Sequence, residues 1–255
     1  MKMITTQQGI MKLREMIPCL FLAVLLSSCG TQQRSATPVP LVETVLTAAQ
    51  QAKLSPDEVI RLLQEGNTRF VNGELTVRDH SKQVRASASG QYPKAAVLSC
   101  VDSRVPVEDV FDRGIGDVFV ARVAGNFENT DIVGSMEFST KVAGAKLILV
   151  LGHEHCGAVK GAIDNVELGN LTSMLSNIRP AIEANSDYQG DKSSKNPEFV
   201  HLVAEENVRI TVRDILEKSE VLRSLVDAGA LKIVGAMYDL DSGAVTMVET
   251  NPGAD

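Results

Sequence analysis

The chain has 255 residues, 44% hydrophobic and 22% charged, enough for one large domain or two small ones with a buried core, and too apolar for a disordered or collagen-like polymer. Its 25 Lys and Arg against 32 Asp and Glu give a net charge of −7, which offers no basic field for nucleic acid and points to a small solute as partner. Four cysteines are too few for a disulfide scaffold at this length, leaving metal binding, a reactive thiol or lipid attachment as their uses.

In chain order, the first element is an address. Met16 to Leu26 (MIPCLFLAVLL) is continuously apolar but only about half of the roughly 20 residues a helix needs to span a bilayer. Lys2, Lys12 and Arg14 precede it and Ser27 and Ser28 follow, the order of a secretory signal, with Met11 as an alternative start before a compact basic stretch. Leu26-Ser27-Ser28-Cys29 resembles the lipobox of bacterial lipoproteins. The resemblance implies cleavage before Cys29, acylation of that residue, and an exported protein tethered on the periplasmic side of a bacterial membrane or at the cell surface. A secretory signal that merely ends near a cysteine is the alternative. Residues 30–40 (GTQQRSATPVP) are small, polar and Pro-containing, as a flexible spacer requires. The expected division is a signal at 1–28, acylated Cys29 and linker through residue 40, and a folded domain over 41–255. Without the signal the net charge becomes −9, so attachment to anionic lipid would depend on the acyl chains.

The folded part opens with a helical pattern from Leu41 to Lys53, then a better marked helix in which Ser55-Pro56-Asp57-Glu58 supplies a capping box. The period then shortens. Ala95–Ser99, Asp117–Val123, Lys146–Leu151 and Leu231–Met237 are short runs rich in Val, Ile and Leu, as buried strands are. Helical segments at Pro106–Phe111, Asp131–Val142, Ala158–Val166, Leu171–Ala184 and Glu198–Leu225 separate them, with a loop at Ser186–Pro197. This alternation predicts an α/β fold, a mainly parallel central sheet flanked by helices. Asp241-Ser242-Gly243 before Ala244–Glu249 predicts an antiparallel edge hairpin.

Cys100 follows the first strand, while His153 and Cys156 follow the third. Carboxyl ends of parallel strands share one crevice, where ligands bind, so two thiols and an imidazole should meet there. Three such ligands suit zinc and leave a fourth tetrahedral position for water, the arrangement of a catalytic ion. Taken alone, Cys100 and Cys156 also read as small core residues. The neighbourhood argues further, since Asp102 and Arg104 put a carboxylate and a guanidinium in the loop beside the first cysteine.

CVDSR and HEHCG, with GQYPKAAVLSC before and DVFVARVAGN between, resemble the β-class carbonic anhydrases, over roughly Leu54 to Val248. The resemblance implies one zinc per subunit on Cys100, His153 and Cys156. It implies an Asp102–Arg104 dyad beside the reacting water, Gln91 as a donor to substrate, and Phe119 and Phe138 as walls of the slot. It further implies reversible hydration of carbon dioxide to bicarbonate and a proton by a zinc-bound hydroxide, and a homodimer or higher even oligomer with sites at the subunit interface and N-terminal helices on the partner. Gly157 is expected to permit close backbone approach after Cys156. His155 is read as an exposed cap of the following helix, with proton transfer as its other role, and His80 and His201 as structural or surface residues. The chain departs from the family's commoner patterns at Val123 and Ile115, and it has no Trp, so a bicarbonate switch built around one should be missing. An inactive zinc domain that binds bicarbonate or a protein partner, or a hydrolase of carbon disulfide or carbonyl sulfide, remain the alternatives.

Overall fold

The computed structural model describes residues 41–250; the signal at 1–28, Cys29 and the linker through residue 40 lie outside them. Five strands build one sheet: β1 (Ala95–Ser99), β2 (Val118–Arg122), β3 (Leu147–His153), β4 (Lys232–Tyr238) and β5 (Val245–Val248). Their order is β2-β1-β3-β4-β5, parallel except for β5, which pairs antiparallel with β4 as the turn signal predicts. Side chains alternate across the sheet. Ala96, Leu98, Ile148 and Val150 face one core, and Ala95, Val97, Leu147 and Leu149 face the other. With both faces covered, β1 and β3 are buried throughout, which is why they read as unbroken apolar runs.

Helices α1 (Ala48–Gln51), α2 (Pro56–Val71), α3 (His80–Ser87) and α4 (Val107–Val110) precede β2. Ser55 caps α2 by accepting from the Glu58 N–H at 3.2 Å, while the Glu58 carboxylate lies 3.8 Å from Arg61. A reciprocal capping box forms instead at α1, between Thr47 and Gln50. The helix expected over Leu41–Lys53 shrinks to that single turn because Val42 pairs as an isolated bridge with Arg78, giving the backbone another partner. The sequence reading did not predict α3, whose single buried residue, Gln83, leaves no apolar periodicity to detect. The N-terminal helices pack on their own chain. Val59 and Leu63 of α2 enter the second core, and Gln51 of α1 donates to the carbonyls of Pro93 and Ala143.

Between β2 and β3 lies α5 (Thr130–Glu137), which continues as a π-helical turn, Phe138–Val142. After β3 come α6 (Gly157–Ile163), α7 (Gly169–Ser176), α8 (Arg179–Ala184), α9 (Pro197–Lys218) and α10 (Glu220–Asp227). Two expected helices are each split. Pro180 has no N–H to continue α7, so a new helix starts around it, and Ser219 turns extended and caps α10 through the Leu222 N–H at 3.1 Å. No helix of the described residues is long and apolar enough to cross a membrane.

Candidate metal centre

Ser99 pairs in register with Leu151, so Cys100 and His153 emerge side by side where β1 and β3 end. Cys156 occupies the position just before α6, three residues after His153. The ligand atoms of Cys100, His153 and Cys156 all lie within 4.8 Å of one another, and the two sulfurs are 4.0 Å apart. All three side chains are buried. The small-core reading of the cysteines is thus correct about burial, yet the two sulfurs face each other and an imidazole.

Each group in the cluster is tuned by its surroundings. His153 Nδ1 lies 2.8 Å from the Glu154 carbonyl, which can only accept, so Nδ1 carries the proton and Nε2 the lone pair. That Nε2 is buried without a hydrogen-bond partner. An orphaned buried acceptor costs about 1–3 kcal/mol, which a cation at this point would remove. Either sulfur can donate in the contact between Cys100 and Cys156, and this sharing pulls proton loss at Cys100 down while pushing it up at Cys156. Two sulfurs this close hold both negative charges only with a cation between them. Gly125 donates its backbone N–H to Cys100 Sγ at 3.4 Å; its φ is 89°, and a Cβ there would lie 2.6 Å from Ile178 Cδ1, so glycine is required.

At the rim, Arg104 grips Asp102. Oδ1 accepts from the Arg104 backbone N–H at 3.0 Å and from Nε at 2.9 Å, and Oδ2 accepts from the guanidinium at 2.7 Å. Arg104 thereby holds the Asp102 carboxyl well below the usual carboxylate range. Asp102 Oδ2 stands 3.9 Å from His153 Nε2, and the carboxylate stays outside the three-residue ligand cluster.

A carbonic anhydrase family profile matches residues 95–245, from β1 into β5. Carbonic anhydrase 2 of Mycobacterium tuberculosis is 36% identical over 198 residues, covering 76% of this chain and 93% of the relative. The Mycolicibacterium smegmatis carbonic anhydrase is 35% identical over the same length. The solved β-carbonic anhydrase CafA of Aspergillus fumigatus superposes with a TM-score of 0.61 at 26% identity, covering 69% of this chain and 84% of that one. The chain belongs to the β-class carbonic anhydrases.

In this β-carbonic anhydrase the remaining predicted site residues do not all converge on the cluster. Gln91 is exposed in the loop before β1, at the opposite end of that strand from Cys100. Phe119 and Phe138 meet edge-on, ring centroids 6.1 Å apart, and wall a cleft of about 670 Å³ between β2 and α5 that none of the three candidate ligands lines. The close approach expected at Gly157 is absent, since a Cβ there would meet nothing within 4 Å. His155 is exposed as expected, but Cys156 takes the cap position, and His155 has a left-handed φ of 53°. His80 is exposed in the first turn of α3. His201, read as structural or surface, lies between the carboxylates of Glu154 and Glu205.

Sequence reasoning missed two supports. Arg122 at the end of β2 donates to the carbonyls of Cys100 (3.1 Å), Asp102 (3.3 Å) and Val105, pinning the loop that carries the dyad. Asn207 of α9 donates to the Gly125 carbonyl at 2.8 Å, fixing the peptide beside the Cys100 sulfur.

Proposed function

We propose that this chain catalyses the reversible hydration of carbon dioxide to bicarbonate and a proton, using a zinc ion held by Cys100, His153 and Cys156. The observation that carries the reading is the buried, unpartnered Nε2 of His153 beside two buried sulfurs, with an arginine-held carboxylate at the rim. Two thiolates and an imidazole are a zinc set, and three protein ligands leave a fourth position for catalysis. When bound, zinc supplies the Lewis acidity that makes hydroxide available from water near neutral pH.

The chain's own groups do the rest. Cys100 and Cys156 must both release their protons to hold a dication. The Gly125 N–H supports the negative charge on Cys100, and the N–H groups of Val159 and Ala158 in the first turn of α6 support that on Cys156. A carboxylate has about four acceptor sites, two per oxygen. Arg104 fills both on Asp102 Oδ1 and one on Oδ2, so the site left over is on Oδ2, the oxygen nearer His153. Asp102 therefore accepts a hydrogen bond from the reacting water and turns its lone pair toward carbon dioxide. Arg104 keeps Asp102 ionised and stops it from becoming a fourth ligand.

Gln91, Phe119 and Phe138 do not reach the ligands within one chain, which supports a homodimer or higher even oligomer with its sites at the subunit interface. In that assembly Gln91 would supply the donor to the substrate oxygen that gains charge, and the two Phe rings apolar wall. Export and anchoring through acylated Cys29 complete the proposal, on the sequence of residues 1–40. Fatty-acid labelling that is lost in Cys29→Ala supports the anchor, and labelling that persists refutes it.

Stopped-flow carbon dioxide hydration, followed with a pH indicator, tests the activity on the purified chain. The rate should scale with zinc content. Fully zinc-loaded protein that hydrates carbon dioxide no faster than buffer would contradict the proposal, and turnover of carbon disulfide or carbonyl sulfide instead would redirect it.

A further inference from the structure

We propose that His201 is a positioning residue for His153, acting through Glu154. The inference rests on the zinc reading above. The direction in which His153 Nε2 points is set by the carbonyl that holds Nδ1, and that carbonyl belongs to Glu154. The same peptide bond leads into His155, whose left-handed φ of 53° is a conformation that side-chain-bearing residues avoid, so surrounding contacts must hold it.

Two contacts hold Glu154. Its N–H donates to the Tyr238 carbonyl at 3.0 Å, extending the β3–β4 ladder by one residue. Its carboxylate accepts from His201 Nδ1 at 2.7 Å. On the other side of the same ring, Nε2 lies 3.4 Å from Glu205, one turn further along α9. Glu205 pairs in turn with Arg209, which also reaches Glu206 at 3.2 Å and the Glu249 carbonyl at 3.3 Å. Val200, Val203, Ala204 and Val208 of the same helix are buried in the core, so α9 is a fixed post. The loop carrying His153 and Cys156 is thus tied to a rigid helix by one imidazole held between two carboxylates. Without that ring the Glu154 carboxylate loses this contact with α9. The carbonyl and the His153 ring are then freer to turn, and zinc should leave sooner.

The test is the rate at which the zinc-loaded full chain gives up its metal to a chromophoric chelator. The direct partner of a metal-ligating histidine is typically worth 10–100-fold in metal affinity, and His201 acts one contact further out, so His201→Ala should release zinc about 10-fold faster. His201→Gln, whose amide can still donate to Glu154, should return most of the way to the parent rate. The cobalt-substituted chain should show a shifted ligand-field spectrum in His201→Ala but not in His201→Gln, while both metal-free variants unfold at the parent's temperature. Parent-like release and an unshifted spectrum in His201→Ala would overturn the proposal. So would equally fast release from both variants with a matching loss of metal-free stability, which would mark His201 as merely structural. A parent chain that takes up no zinc overturns the zinc reading and this proposal with it, whereas zinc held and released unchanged overturns this proposal alone.

Discussion

Each end of the sheet carries an aspartate gripped by arginine, and the two differ in what is left over. At the amino end, Asp112 lies between α4 and β2 with its side chain fully buried. Its oxygens accept from Arg69 (2.5 Å), Arg78 (2.6 Å), the Thr76 hydroxyl (2.6 Å) and the Thr76 N–H (3.1 Å). All four acceptor sites are taken. Burial pushes the Asp112 carboxyl up, but Arg78, Thr76 and Arg69 together outweigh it and hold it at about 2. At the carboxyl end, Asp102 keeps one site open and looks into the ligand cluster. A saturated carboxylate can only hold structure together, whereas one with a free acceptor can take part in a reaction.

The most severe way to break this contrast is to remove a ligand at the carboxyl end. His153→Ala or Cys156→Ser should lose both zinc and carbon dioxide hydration while the circular dichroism of the fold persists; activity retained without zinc would end the argument. Next in size, Asp102→Asn should lower kcat on the order of 100-fold with zinc content unchanged. Arg104→Ala should also lose activity, because the freed carboxylate can turn onto the metal; an Arg104→Ala protein with full activity and normal zinc would refute the role given to the dyad.

At the amino end the same chemical change should act on stability alone. Asp112→Asn leaves Arg69 and Arg78 without their counter-charge and should cost about 3 kcal/mol in urea unfolding, with the specific activity of folded protein unchanged. The pH dependence follows from the sign of the shift. Asp112 titrates at about 2 when folded, below an unfolded value of about 4, so its contribution is complete above pH about 4 and disappears as pH falls toward 2. Asp112→Asn should therefore flatten the acid limb of the stability curve, and an unaltered limb would count against the buried network. The smallest and most reversible effect is expected from oxidation. With the metal chelated, sulfurs 4.0 Å apart need little movement to pair. Apo protein left in air should regain activity on adding zinc only after a reductant, and full recovery without one would contradict pairing of the ligand thiols once the metal is gone.

The carboxyl end was the more legible one. Cys100, Asp102 and Arg104 lie in one loop, and His153 and Cys156 in another. Parallel strands bring the two loops together, so a motif of five residues was enough to place each group. Strands β1 and β3 were legible because burial on both faces leaves runs that helices of that length could not use, and the half-buried β2 was legible from its short run rich in Val. What escaped notice acts at a distance or through the backbone. Arg122 pins carbonyls, which any residue supplies, and Asn207 acts on a peptide 82 positions away. The link from His201 to the metal loop could not be read from sequence because its partner Glu154 is 47 residues earlier. Gln91 shows the converse, for nine residues of sequence separation across a strand carry it to the far edge of the sheet.

X-ray absorption at the zinc edge, on freshly isolated full-length protein with metal content measured alongside, probes the centre most directly. The account predicts one zinc per chain, a scattering shell of two sulfurs at about 2.3 Å and light atoms at about 2.0 Å, and loss of one sulfur in Cys100→Ser. Protein without zinc, or zinc surrounded by light atoms alone, would contradict it.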